Sequence, residues 1–194
     1  MHHIYHTKGF VLSSWNMGEA NKLFYIYTKD LGLIRATAQG IRLNKSKLRF
    51  SLQNFSYSNI DLVRGKDMWR ITSAKNISSF PFLRSDSDSL ILVARVSKLL
   101  ERLCTGEESN KKIFENFIQA LHLLDNTSLT KESKEALEIH LVLNVLNSLG
   151  YIGHSDLLNK YLSSPFDVDL TENVLKDRKS IVTHINRAIS ESQL

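Results

Sequence analysis

A chain of 194 residues, 42% hydrophobic and 23% charged, has room for one generous domain or two small ones, each with a real core. No uninterrupted apolar run is long enough to span a bilayer, and the opening MHHIYHTKGF lacks the apolar core of a signal peptide, so a cytoplasmic protein is expected. The single Cys104 excludes an internal disulfide and a thiolate zinc site. The net charge of +5 is spread unevenly: residues 1–80 hold twelve Lys and Arg against four Asp and Glu, a net of +8, and residues 81–194 carry a net of −3. A basic half joined to a mildly acidic one points to an anion-binding module on a scaffold.

The first half reads as strands. Residues 4–14 mix apolar and polar types at short period, and a turn is predicted at Asn16-Met17-Gly18. Residues 22–28, KLFYIYT, are rich in the aromatic and β-branched types favoured on pleated surfaces. Asp30-Leu31-Gly32 makes a tight turn into residues 33–39, where Leu33, Arg35, Thr37 and Gln39 face one way and Ile34, Ala36 and Ala38 the other. Residues 55–63 alternate again, Arg64-Gly65-Lys66-Asp67 reads as a hairpin turn, and residues 68–74 form the last strand. Five short strands with regular turns predict a small barrel or sandwich.

Near Pro81 the pattern changes to helical spacing. Helices are predicted from Ser87 through Leu103, over residues 111–124, over residues 131–149 with Gly150 as C-cap, and over residues 155–162 and 171–189. The organisation is therefore α+β with two domains, strands over residues 1–79 and helices over residues 80–194.

Between the third and fourth strands, Arg42, Lys45, Lys47 and Arg49 fall within eight residues with no acid among them. Cations this close repel one another unless water or a polyanion screens them. Such a loop on a strand can grip a phosphate backbone, and it can equally be a solvated loop. Arg35, Arg42, Lys45, Lys47 and Arg49 are the phosphate candidates, with Lys22, Arg64, Lys66 and Arg70 as a second group. Trp15, Tyr25, Tyr27, Tyr57 and Trp69 are aromatics that can stack on bases, although strand aromatics in a small domain more often fill the core. Tyr25 and Tyr27 are the stacking candidates, sharing a strand face opposite Phe24 and Ile26.

Catalysis is not indicated. The histidines at 2, 3 and 6 read as a solvated N-terminal arm without supporting carboxylates, and those at 122, 140, 154 and 184 are scattered singly. There is no Gly-rich phosphate loop, nucleophile elbow or paired carboxylate spacing, and no cofactor is expected.

The ordered series Gly9-Phe10-Val11-Leu12, Gly18-Glu19, Asn21-Lys22, residues 24–28, Leu31-Gly32, and Gly40 followed by Arg42 and Ser46 resembles the RecO family of bacterial recombination mediators. The resemblance covers residues 4–75 in sequence; beyond them only helical character and order agree. It implies a five-stranded OB-fold barrel followed by an all-α domain. It also implies non-specific binding of single- and double-stranded DNA, strand annealing, and, with a RecR partner, help for a RecA recombinase in displacing single-strand-binding protein. A nucleoid-associated location follows from that role, with no membrane contact. Many relatives carry a four-cysteine zinc-finger insertion; this chain has one Cys, so no zinc is expected, and it looks short for the family in its helical part. The alternative is an OB-fold adaptor whose basic loop meets an acidic protein tail; an RNA-binding OB protein is a more distant one.

Overall fold

The computed structural model describes residues 3–153 and 155–191. Five strands, β1 (Ile4–Met17), β2 (Asn21–Thr28), β3 (Gly32–Ala38), β4 (Tyr57–Arg64) and β5 (Trp69–Ser78), close into a barrel in the order β1-β2-β3-β5-β4. The β3–β5 pairing is parallel, with Ala36 opposite Trp69, and every other pairing is antiparallel. A one-turn helix, α1 (Leu48–Ser51), lies between β3 and β4. This is an OB-fold barrel.

The predicted alternation is the one the barrel uses. Phe24, Ile26, Ile34 and Ala36 point inward with Val11, Ile60, Leu62 and Ile71 to form the core. β1 is long enough to serve both sides of the barrel: residues 4–10 pair with β4 and residues 9–17 with β2, with an irregularity between Val11 and Ser13 that turns the strand. The first turn is displaced to residues 18–20, because β1 continues through Met17.

Gly32 is required twice over. Its φ of +66° belongs to the left-handed region, and a Cβ there would lie 2.2 Å from the carbonyl oxygen of Glu108. The hydroxyl of the buried Thr28 donates to the Gly32 carbonyl at 2.9 Å and accepts from the Leu31 N–H at 3.0 Å, which closes the turn. Gly32→Ala is therefore expected to destabilise the barrel by at least about 2 kcal/mol, measured as a lower urea midpoint. An unchanged midpoint would contradict this packing.

The helices are α2 (Pro81–Ser85), α3 (Ser87–Leu103), α4 (Lys111–Asn126), α5 (Lys131–Ser148), α6 (Asp156–Leu162), α7 (Val168–Lys176) and α8 (Arg178–Glu191). Residue contacts divide the chain into two compact units. One comprises the residues up to Phe80 together with Ser97–Lys111; the other comprises Pro81–Val96 and the residues from Lys112 onward. The division falls inside α3, so a stretch that reads as helical-domain sequence belongs with the barrel.

In the second unit α5 packs against α6, α7 and α8, with buried residues on several of its faces. Thr130 caps its first turn by accepting from Ser133 N–H. Gly150, at φ +81°, ends it, with Gly150 N–H bonding the Asn147 carbonyl and Tyr151 N–H the Leu146 carbonyl. The single helix expected over residues 171–189 is instead two, α7 and α8, joined at Asp177. The hydroxyl of the buried Tyr161 lies 2.5 Å from Asp177 Oδ2 and 3.1 Å from the Asn173 carbonyl, so the joint is held by a side chain from α6. Among the described residues no helix is long and apolar enough to cross a membrane.

Candidate nucleic-acid interface

The basic connector between β3 and β4 is fastened at both ends. Ile41 and Leu52 are buried in the barrel core, and Leu48 packs against it. The Asn21 side chain accepts from Gly40 N–H at 2.9 Å, Arg42 N–H bonds the Ala20 carbonyl at 3.0 Å, and the Arg42 guanidinium donates to the Gly18 carbonyl at 3.0 Å. These bonds tie the connector to the β1–β2 turn. Leu43 N–H to the Gly40 carbonyl and Ser46 N–H to the Leu43 carbonyl then fold it into successive turns.

The result is an open cleft of about 510 Å³ at the mouth of the barrel. Lys22, Arg42 and Arg49 line it with Ser14, Gln53 and Asn54, over a floor of Ile41 and Leu52. Among the described residues lining it there is no carboxylate. Three cations with no acid between them, beside hydroxyl and amide groups, make this cleft electropositive. Lys22 joins this site because it stands at the start of β2, opposite Asn16 of β1 and Ala38 of β3.

The other basic candidates lie elsewhere. Lys45 and Lys47 are exposed on the connector outside the cleft, Lys66 is exposed in the β4–β5 hairpin, and Arg70 is exposed on β5. Arg64 donates to both carboxylate oxygens of Glu107, and its guanidinium carbon lies 4.9 Å from the Trp69 ring centroid. Its charge is already neutralised. Arg35 lines a separate cleft of about 370 Å³ with Tyr25, Leu33 and Met68, where Asp67, Glu101 and Glu107 bring three acids. Both arginines stand beside carboxylates, whereas no carboxylate lines the cleft of Lys22, Arg42 and Arg49 among the described residues.

Asp67 belongs to the β4–β5 hairpin, and Glu101 and Glu107 come from the Ser97–Lys111 stretch, which packs against the barrel strands. The Ser13 hydroxyl donates to Glu101, the Trp69 indole N–H donates to Glu107 at 3.0 Å, and the backbone of Glu108 closes on Gly32. Tyr27 is fully buried under this stretch, beside Cys104, and cannot stack on a base. Burial, with Cys104 beside it, pushes the Tyr27 phenol up, and burial likewise raises the Cys104 thiol. Tyr57 and Trp69 are also buried. Tyr25 is half-buried, edge-on to the half-exposed Trp15 at 5.0 Å between ring centroids.

Two further residues were not legible in their roles. Phe50, in α1, is 70% exposed beside Arg49, although its setting in KSKLRF, an aromatic among cations, is a signal that sequence reading can use. His6 is not on a solvated arm: it lies in β1 opposite Asp61 of β4, with Nδ1 2.6 Å from Asp61 Oδ1. His3 is edge-on to Tyr5, and His2 and His154 lie outside the described residues. Among the described residues no group of three or more His, Cys, Asp or Glu side chains is placed to hold a metal.

Barrel, appended helices and basic mouth define an OB-fold protein with an α-helical second part. Residues 1–80 match the family model described as "Recombination protein O N terminal". The chain belongs to the RecO family. It is 33% identical over 140 residues to the DNA repair protein RecO of Dehalococcoides mccartyi, covering 72% of this chain and 55% of that protein. It is 30% identical over 148 residues to that of Clostridium novyi, covering 76% and 57%, and 29% identical over 163 residues to that of Acetivibrio thermocellus, covering 83% and 63%. The chain thus spans little more than half the length of the curated relatives it matches.

Proposed function

We propose that this chain is a non-enzymatic DNA repair and recombination mediator that grips DNA by its phosphates at the barrel mouth. The observation that carries the reading is the convergence of Lys22, Arg42 and Arg49 on one carboxylate-free cleft, in a chain whose curated relatives bear the name DNA repair protein RecO. Lysine and arginine side chains contact phosphates without reading base identity, so binding is sequence-tolerant for both single strands and duplexes. Lys45 and Lys47 extend the contact along the strand, and Lys66 and Arg70 are available to a longer one.

Annealing follows from the same physics. A protein that neutralises two strands at once lowers their mutual repulsion and raises their local concentration, and base pairing completes the reaction. In this reading the barrel, residues 1–79, carries DNA. The helical unit, Pro81–Val96 and the residues from Lys112 onward, is the platform for RecR, for single-strand-binding protein and for a RecA-type recombinase.

Fluorescence anisotropy of labelled single- and double-stranded oligonucleotides across a salt series tests the proposal. With about five phosphates neutralised on a single strand, the log–log salt slope is expected at roughly −3 to −4. Absence of binding even at low salt would remove the DNA reading and transfer the basic mouth to an acidic protein tail.

A further inference from the structure

The mouth cleft supplies charge, and charge alone does not separate a single strand from a duplex, because both present phosphates. That distinction needs an aromatic face free to meet an unpaired base. In the barrel unit Tyr27, Tyr57 and Trp69 are buried. Tyr25 lines the cleft that Asp67, Glu101 and Glu107 also line, where carboxylates oppose a phosphate backbone. Trp15, half exposed, is already engaged edge-on by Tyr25.

Phe50 differs in each respect. Its side chain is 70% exposed, and the Arg49 guanidinium carbon lies 5.8 Å from its ring centroid. Arg49 itself lines the mouth cleft, so the ring, though not part of the lining, lies next to one of the cleft's cations. The turn that carries it is anchored. Leu52 N–H bonds the Leu48 carbonyl at 3.0 Å, and the Ser51 carbonyl accepts from the hydroxyls of Ser58 at 2.7 Å and Ser56 at 3.1 Å. A phenylalanine so exposed on so fixed a turn contributes little to the core and presents a π-face next to a phosphate-binding cation.

We infer that Phe50 is the base-stacking residue of the mouth cleft and gives it a preference for single-stranded over duplex DNA. Arg49 takes the phosphate adjacent to the stacked base, and a paired base, stacked within its own helix, is denied the contact. The inference rests on the DNA-binding reading above.

The test compares wild type, Phe50→Ala and Phe50→Trp on three probes of equal length: an oligothymidylate, an abasic single strand and a duplex. An abasic strand keeps the phosphates and lacks the bases. Phe50→Ala is expected to weaken oligothymidylate binding about tenfold, with abasic and duplex binding within twofold of wild type. Phe50→Trp is expected to restore affinity and to show tryptophan fluorescence quenched by the oligothymidylate and not by the abasic strand. Equal losses on all three probes, or no loss on the oligothymidylate, overturn the role of Phe50 while leaving the DNA reading in place. A wild-type protein that binds none of the probes overturns both. Circular dichroism of each variant checks that the anchored turn has not unfolded the barrel.

Discussion

Replacing Lys22, Arg42 and Arg49 together by alanine is expected to lower single-strand affinity at least a hundredfold at moderate salt. Each charge-assisted contact to a phosphate contributes about 1.5 kcal/mol or more, and three act in one cleft. The salt slope should become shallower by about 2, since three neutralised phosphates on a single strand account for about that much. Lys45→Ala with Lys47→Ala should cost less, because those side chains lie outside the cleft. The informative contrast is Arg35→Ala with Arg64→Ala, which removes two cations of the same half of the chain. Arg64 is paired with Glu107, and Arg35 stands among Asp67, Glu101 and Glu107, so their loss should leave affinity within about threefold of wild type. If the two sets of substitutions weaken binding equally, binding follows net charge and the mouth cleft is not a site. Lys22 is half-buried and Arg42 and Arg49 are exposed, so the fold should survive the triple change.

The helical unit should lose stability on acidification through His140. This side chain is fully buried, its Nε2 lies 2.9 Å from the Tyr161 carbonyl, and the Phe166 ring covers it at 4.5 Å. Nε2 meets both the Tyr161 carbonyl and, at 2.8 Å, the Asn144 side-chain amide, while among the described residues Nδ1 is buried with no hydrogen-bond partner. Protonating Nδ1 would place both a charge and an unpaired N–H in the core. Burial accordingly pulls the His140 pKa from 6.5 down to about 4, against smaller opposing effects of the Tyr161 carbonyl and Asp167. The unfolded chain binds this proton near pH 6.5 and the folded chain only near pH 4. The stabilisation is therefore complete above pH 6.5 and is lost as pH falls from there toward 4, amounting to about 3 kcal/mol. Thermal unfolding followed by helical ellipticity should show a midpoint that drops by roughly 10 °C over that interval. His140→Gln should be less stable at pH 7 and should lack the part of the pH dependence between 6.5 and 5. A wild-type midpoint flat from pH 7 to 5 would contradict the buried neutral imidazole.

Features that depend on neighbours along the chain were legible in the residue order. Period-two alternation over residues 33–39 placed Ile34, Ala36 and Ala38 in the core, since successive strand residues face opposite sides. The glycines at 32 and 150 marked a turn and a helix end because each adopts a positive φ that other residues resist. The run from Arg42 to Arg49 announced a basic connector. Which cations share a cleft and which aromatics are exposed depends on residues distant in sequence, so neither is legible before the chain has folded. Lys22 reaches Arg42 and Arg49 through barrel closure. Glu107, forty-three positions beyond Arg64, neutralises it. Tyr27 alternates like an outward residue and does face out of the barrel, yet Cys104 and its neighbours lie over that face. Tyr161 sets the break between α7 and α8 inside an apolar spacing, Val174 to Ile181, that a single helix would also satisfy. Local pattern states which face of a strand a side chain takes; whether water, a carboxylate or another segment meets it there is a property of the folded chain.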